Sequence, residues 1–147
     1  MNLIISETPS REQIDRLQAE MVKMPQIEVK TDHYFAGGMY CRRVIQPAGT
    51  TIVGKIHKKA HIFLCAAGEI IAWSEKGMMN LKAGDVLESQ PGTKRVGYAV
   101  QDSVVITIHQ TDKTDLDEIE AEIIEPDVMA LYDARNQIKQ GLISWHG

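Results

Sequence analysis

The sequence predicts a mainly β fold: an antiparallel barrel of short strands, preceded by an N-terminal helix and followed by a helical C-terminal extension. Three observations carry this. Between Gln26 and Gln110 the chain passes through nine short β-like runs broken by glycine and proline turn signals, the pattern of a barrel or sandwich. No long helical pattern interrupts them, which argues against a parallel sheet of βαβ units. On either side of this region the apolar spacing changes from alternation to a helical period.

The chain divides accordingly into residues 1–25, 26–110 and 111–147. In the first part, 2–5 (NLII) reads as a short opening strand. Thr8, Pro9 and Ser10 then give helix-start signals, and Ile14, Leu17, Met21 and Met24 line one helical face before Pro25 stops it. In the second part the expected strands are 26–34, 39–46, 50–57, 61–66, 69–74, 78–82, 85–88, 94–100 and 104–110. Their breaks are Gly37-Gly38, Pro47-Ala48-Gly49, Ala67-Gly68, Glu75-Lys76-Gly77, Ala83-Gly84-Asp85 and Pro91-Gly92. A hairpin around Asp102 is expected to join the last two strands. In the third part Thr114 is placed to cap a helix over DLDEIEAEII, whose acidic first turn suits the positive end of the helix dipole. Beyond Pro126, DVMALYDARNQIKQ reads as a second helix ending at Gly141, and the apolar Leu142, Ile143 and Trp145 are expected to dock on this chain or on a neighbour.

Composition narrows the class. The chain has 147 residues, 44% hydrophobic and 24% charged, ordinary values for a globular protein. No apolar run approaches the roughly 20 residues of a membrane span, and MNLIISETPS lacks the basic start and apolar core of a signal peptide, so the expected location is cytoplasmic. Cys41 and Cys65 lie in apolar strand-like runs and read as small buried hydrophobes rather than a disulfide. The net charge of −4 is uneven: −1 over 1–24, +3 over 25–110 and −6 over 111–147. An acidic tail of this kind weighs against general nucleic-acid binding. Ser or Cys nucleophile constellations, phosphate loops and Cys-rich zinc motifs are missing from the sequence.

The chemistry concentrates in Gly49–Gly68, GTTIVGKIHKKAHIFLCAAG, with His57 and His61 set among Lys55, Lys58 and Lys59, and in AGDVLESQPGTKR downstream. These stretches resemble the two motifs of the cupin superfamily over roughly residues 39–110. The resemblance implies an antiparallel jelly-roll barrel. Aligned on Gly68 and on Pro91-Gly92, the positions at which the family places its metal ligands hold Lys55, His57, His61 and Arg95. Two of the four are therefore cations, which bind metals poorly. GKIHKKAH with PGTKRVGYA further resembles a group of small cupin-like proteins of bacteriophages and prophages, a likeness that implies no particular activity.

Three readings of the cluster follow. The one the residues favour is a cationic pocket, formed by Lys55, His57, His61, Lys94 and Arg95 with Tyr98 and Tyr40 nearby, for a small phosphate- or carboxylate-bearing ligand. The second is a divalent metal site on His57, His61 and His109 serving a metal-dependent enzyme. The third is a non-enzymatic assembly module of a phage. If there is catalysis, His57 or His61 is the candidate base and Tyr98 the candidate acid. Strand alternation puts Lys55, His57 and His61 on one face if 55–61 is a single strand. The register of the hairpin around Asp102 decides His109: with Val100 opposite Val104, His109 faces inward beside Arg95, and with a turn one residue shorter it faces outward. The sequence leaves both open. The terminal segments predict a homo-oligomer.

Overall fold

The computed structural model describes residues 8–127 and 129–139; the predicted strand over 2–5 and the apolar terminus from Leu142 lie outside the described residues. Helix α1 (Arg11–Val22) starts on a capping box: the Ser10 hydroxyl accepts from the Gln13 amide, and the Gln13 side chain accepts from the Ser10 amide. Its apolar face, Ile14, Leu17 and Met21, packs on Val53, Val96 and Trp73. The helix ends before Met24, which therefore lies past the stripe predicted to contain it.

Nine strands follow: β1 (Lys30–Ala36), β2 (Met39–Gln46), β3 (Thr51–Val53), β4 (His61–Ala67), β5 (Glu69–Ser74), β6 (Gly77–Lys82), β7 (Val86–Ser89), β8 (Val96–Ala99) and β9 (Ser103–Gln110). They form two antiparallel sheets, β1-β2-β9-β4-β7 and β3-β8-β5-β6. The barrel core between them gathers Cys65, Ile70, Ala72, Leu81, Ala99 and Val105, with Phe63 against it. Both cysteines are free.

The first strand runs further than 26–34 because its hairpin sets its end. Gly37 and Gly38, at φ 53° and 76°, make the two-residue turn that matches strand twist, and pairing continues up to Ala36–Met39.

Four expectations are corrected. The stretch predicted as one strand over 50–57 leaves the sheet after Val53. Its backbone turns instead to residues 123–125, through Lys58 N to Ile123 O at 2.7 Å and Glu125 N to Ile56 O at 2.9 Å. The hairpin around Asp102 does not form. β8 pairs with β3 and β5 while β9 pairs with β2 and β4, so the chain crosses between sheets at that turn. Helix α2 (Leu116–Ile123) is capped by Asp115, not Thr114: the carboxylate accepts from Glu118 N at 3.0 Å. No helix continues over the described part of 127–139. There Asp127 and Asp133 accept hydrogen bonds from backbone amides two to four residues on, and Asn136 takes φ 62°. Such local side-chain bonds favour turns over helix.

The extension nevertheless packs tightly. Leu131 and Tyr132 are buried with Val29 and Val44, and Ile119 and Ile123 close over Tyr40. Helix α1 covers the second sheet, while α2 with residues 124–127 and 129–138 covers the barrel mouth.

Candidate functional site

Three histidines meet at that mouth. His61 opens β4 and His109 nearly closes β9, one step beyond the Ile62–Ile108 pair of the same ladder. Neighbours across a ladder share a face, so both turn inward, and both are buried. His109 thus faces inward without the β8–β9 hairpin on which its orientation was expected to depend. His57 comes from the loop that left the sheet, anchored by its bridge to Ile124. Ring centroids lie 4.0 Å apart for His57–His61, 4.7 Å for His61–His109 and 5.1 Å for His57–His109. One nitrogen from each ring lies within 4.8 Å of the others.

Burial sets their protonation. Desolvation first, then the neighbouring imidazoles and Arg42, push His57 down to about 2 and His109 to about 3. His61 falls to about 4, again chiefly through burial. All three are neutral at neutral pH, so their lone pairs are free to ligate. His57 Nδ1 lies 3.1 Å from the Lys55 carbonyl; a carbonyl only accepts, so Nδ1 carries the proton and Nε2 the lone pair. His109 Nε2 meets the Thr107 hydroxyl at 2.9 Å, and Tyr40 stacks on the ring. Nδ1 of His61 is buried with no hydrogen-bond partner, an arrangement that costs free energy unless something occupies it.

The donor set fits a transition-metal ion: three neutral imidazoles, one orphaned nitrogen and an outer carbonyl fixing a tautomer. On a tetrahedral ion with bonds of about 2.1 Å the ligand nitrogens lie roughly 3.4 Å apart, so the rings would close inward to hold it.

The cations are arranged differently from expectation. Lys55 reaches the cavity wall, but its ammonium pairs with Glu120 and donates to the Asp133 carbonyl at 3.3 Å. Lys94 is buried outside the barrel, 2.6 Å from Asp15 and bonded to Gln18 of α1. Alternation forces this, because Arg95 points in and its neighbour must point out. The same rule turns Gly97 and Ala99 inward and Tyr98 outward, into the cleft beneath α1 beside Leu17, Met21 and Trp73. Tyr98 therefore does not face the cavity, and the candidate acid is separated from His57 and His61.

Arg95 does face the cavity. It donates to the Ser89 hydroxyl at 3.0 Å and lies 5.8 Å from the Phe63 ring centroid. The residue that sequence reasoning missed is Arg42. It stands on β2 beside Thr107 of β9, lines the same cavity, and acts electrostatically on all three histidines. Neither Arg42 nor Arg95 forms an ion pair among the described residues. In CRRVIQ the inward arginine cannot be told from the outward one. Arg43, the outward one, is bound to Asp32 at 2.6 Å.

The cavity enclosed by these groups has a volume of about 150 Å³, with apolar walls that include Val44, Ile52, Phe63, Val105 and Leu131. Its lining offers His57, His61 and the guanidiniums of Arg42 and Arg95 to a compact guest, and the His109 ring stacks against both histidines.

No protein-family model and no curated protein matches the sequence. Solved structures do match the fold. KdgF from a Halomonas species superimposes with a TM-score of 0.53 at 16% identity, over 63% of this chain and 88% of that one. The DMSP lyase DddQ from Ruegeria pomeroyi gives 0.52 at 15% identity, over 60% of this chain and 49% of that one. A cupin-2 domain protein from Shewanella frigidimarina gives 0.49 at 10% identity, over 64% and 91%. The first two, together with the antiparallel two-sheet topology and the two motif-bearing segments, place the chain in the cupin fold. At such identities the likeness concerns the fold alone, and the likeness to phage proteins rests on the two motifs. No helix among the described residues is long and apolar enough to cross a membrane.

Proposed function

We propose that the barrel binds a small carboxylate- or phosphate-bearing molecule, gripped by Arg42 and Arg95 and set against a divalent metal ion on His57, His61 and His109. The observation that supports this is the pair of guanidiniums lining one small apolar cavity with His57 and His61, neither of them salt-bridged among the described residues and Arg42 influenced by Glu120 only at longer range. Inward-facing charge is costly unless it is compensated, and an anion compensates it with planar two-point bonds. A purely structural barrel leaves both guanidiniums without a purpose. A bound ion would supply a Lewis-acid centre next to the anion. The lyase of the same fold indicates that such a barrel can house chemistry.

Metal analysis of purified protein should find about one divalent ion per chain, lost in His57→Ala/His61→Ala. Titration calorimetry with a panel of small carboxylates and phosphates should show binding that Arg42→Ala weakens roughly 10- to 100-fold, the worth of one charged hydrogen-bonding group. A protein that takes up no ion and responds to no member of the panel would overturn the reading. Binding unmoved by Arg42→Ala would do the same for the role of the guanidiniums.

A further inference from the structure

Thr93 lines the cavity and is 8% exposed, and its hydroxyl meets no hydrogen-bond partner among the described residues. A buried hydroxyl left unpaired costs free energy. Its polar neighbours on the wall are satisfied. Gln46 Nε2 donates to the Thr50 and Gly97 carbonyls, Asn136 Nδ2 donates to Thr31 Oγ1, and Ser89 Oγ accepts from Arg95. The loop that carries Thr93 is pinned on both sides. Gly92 N donates to the His57 carbonyl at 2.9 Å, and Gly54 N donates to the Arg95 carbonyl at 2.8 Å. The Lys94 ammonium is held outside the barrel by Asp15 and Gln18. With Lys94 fixed outward, alternation turns Thr93 inward, on the side of Arg95. A β-branched side chain is stiff at χ1, so the hydroxyl is held ready between the His57 loop and a guanidinium.

We propose that Thr93 is a second recognition point of this cavity and that the guest is a small hydroxy acid. Its carboxylate goes to the guanidiniums, and a hydroxyl on its carbon chain bonds Thr93 Oγ1. This rests on the cavity being an anion site. A threonine hydroxyl both donates and accepts, and a guest hydroxyl, with the same two capacities, can meet it in either sense. An ammonium, the other common substituent of small acids, would be buried beside two guanidiniums and repelled by them. An unsubstituted chain would leave Thr93 unpaired. That is the penalty by which a site built to hydrogen-bond a group rejects an analogue without it.

Titration calorimetry on the full chain with matched acids tests this: lactate of either hand against propionate, and β-hydroxybutyrate against butyrate. In the wild type at least one hydroxy acid should bind roughly 5- to 10-fold more tightly than its parent, the worth of one hydrogen bond to a buried group. In Thr93→Val, which keeps the shape and removes the hydroxyl, the same pair should differ by less than about 2-fold. Thr93→Ser should restore the preference. Alanine should bind more weakly than lactate. Because the hydroxyl has no partner among the described residues, Thr93→Val should also hold or raise the urea midpoint. Parent acids that bind with no gain from the hydroxyl, or a gain that survives Thr93→Val, overturn the role of Thr93 while leaving the anion site standing. So does a preference for alanine. A lowered urea midpoint in Thr93→Val would show the hydroxyl spent on the fold and would overturn it equally. Wild-type protein that binds none of the hydroxy acids overturns the assignment, and silence toward the whole panel of carboxylates and phosphates removes the anion site with it.

Discussion

The three histidines show how one environment prepares a residue type for one job. In water an imidazole titrates near 6.5; here burial first, then neighbouring imidazoles and Arg42, hold His57 at about 2 and His109 at about 3, and burial with Arg95 and Arg42 holds His61 at about 4. The unfolded chain therefore takes up protons between pH 6.5 and 4 that the folded metal-free protein refuses. The sign follows directly. The contribution of these residues is fully present above pH 6.5 and is lost as pH falls toward the folded values. Urea midpoints of the metal-free protein at pH 7, 6 and 5 should fall steeply, and His57→Gln/His109→Gln should flatten the decline. Parallel pH dependence in the two proteins would contradict the assignment. Arg42 belongs to this scale as well. It was illegible in the sequence because the choice between Arg42 and Arg43 depends on which face of β2 meets the barrel, and CRRVIQ alternates equally well both ways.

At the scale of the element, the crossover at Gly68 carries a sharp expectation. Gly68 has φ 81°, and a Cβ there would lie 2.3 Å from Ser103 Oγ and 2.4 Å from the Asp102 carbonyl oxygen. The close approach exists because Ser103 Oγ accepts from Glu69 N at 3.1 Å while donating to the Gln101 carbonyl at 2.8 Å, tying the β4–β5 turn to the start of β9. Gly49 has the same φ of 81° but nothing within 4 Å. Gly49→Ala should therefore cost about 1–2 kcal/mol, the left-handed strain alone, and Gly68→Ala about 2–4 kcal/mol, strain plus crowding. Equal losses in urea midpoints would show that crowding is absent. This crossover also explains where sequence reading succeeded and failed. Strands such as 39–46 and 69–74 were legible to the residue because turn glycines stand beside them. The separation of β8 from β9 was not legible: adjacency in sequence favours a hairpin, whereas the two strands go to different sheets. The loop carrying His57 was hidden for a related reason. Its β-like residues find their backbone partners at residues 123–125, too distant in sequence for local pattern to reveal.

At the scale of the whole molecule, the cavity is a joint product of barrel and extension. Ala130, Leu131, Tyr132 and Asn136 form part of its wall. They are held there by Tyr132 Oη donating to the Ile27 carbonyl at 2.8 Å and Asn136 Nδ2 donating to Thr31 Oγ1 at 2.8 Å. The barrel supplies the histidines and guanidiniums, and the extension sets how large a guest fits beside them. Leu131, 4% exposed and packed with Val29, Val44 and Tyr132, is the test of that division of labour. Leu131→Ala should cost about 2–5 kcal/mol, the range for truncating a buried leucine, and should leave metal content unchanged, because no histidine depends on the side chain. It should also shift binding within a series of straight-chain carboxylates toward members longer by one or two carbons, as the vacated volume joins the cavity. Competition calorimetry across that series reads the shift. An unchanged length preference in a stable, metal-loaded variant would mean that the extension merely covers the mouth and that the barrel alone selects its guest.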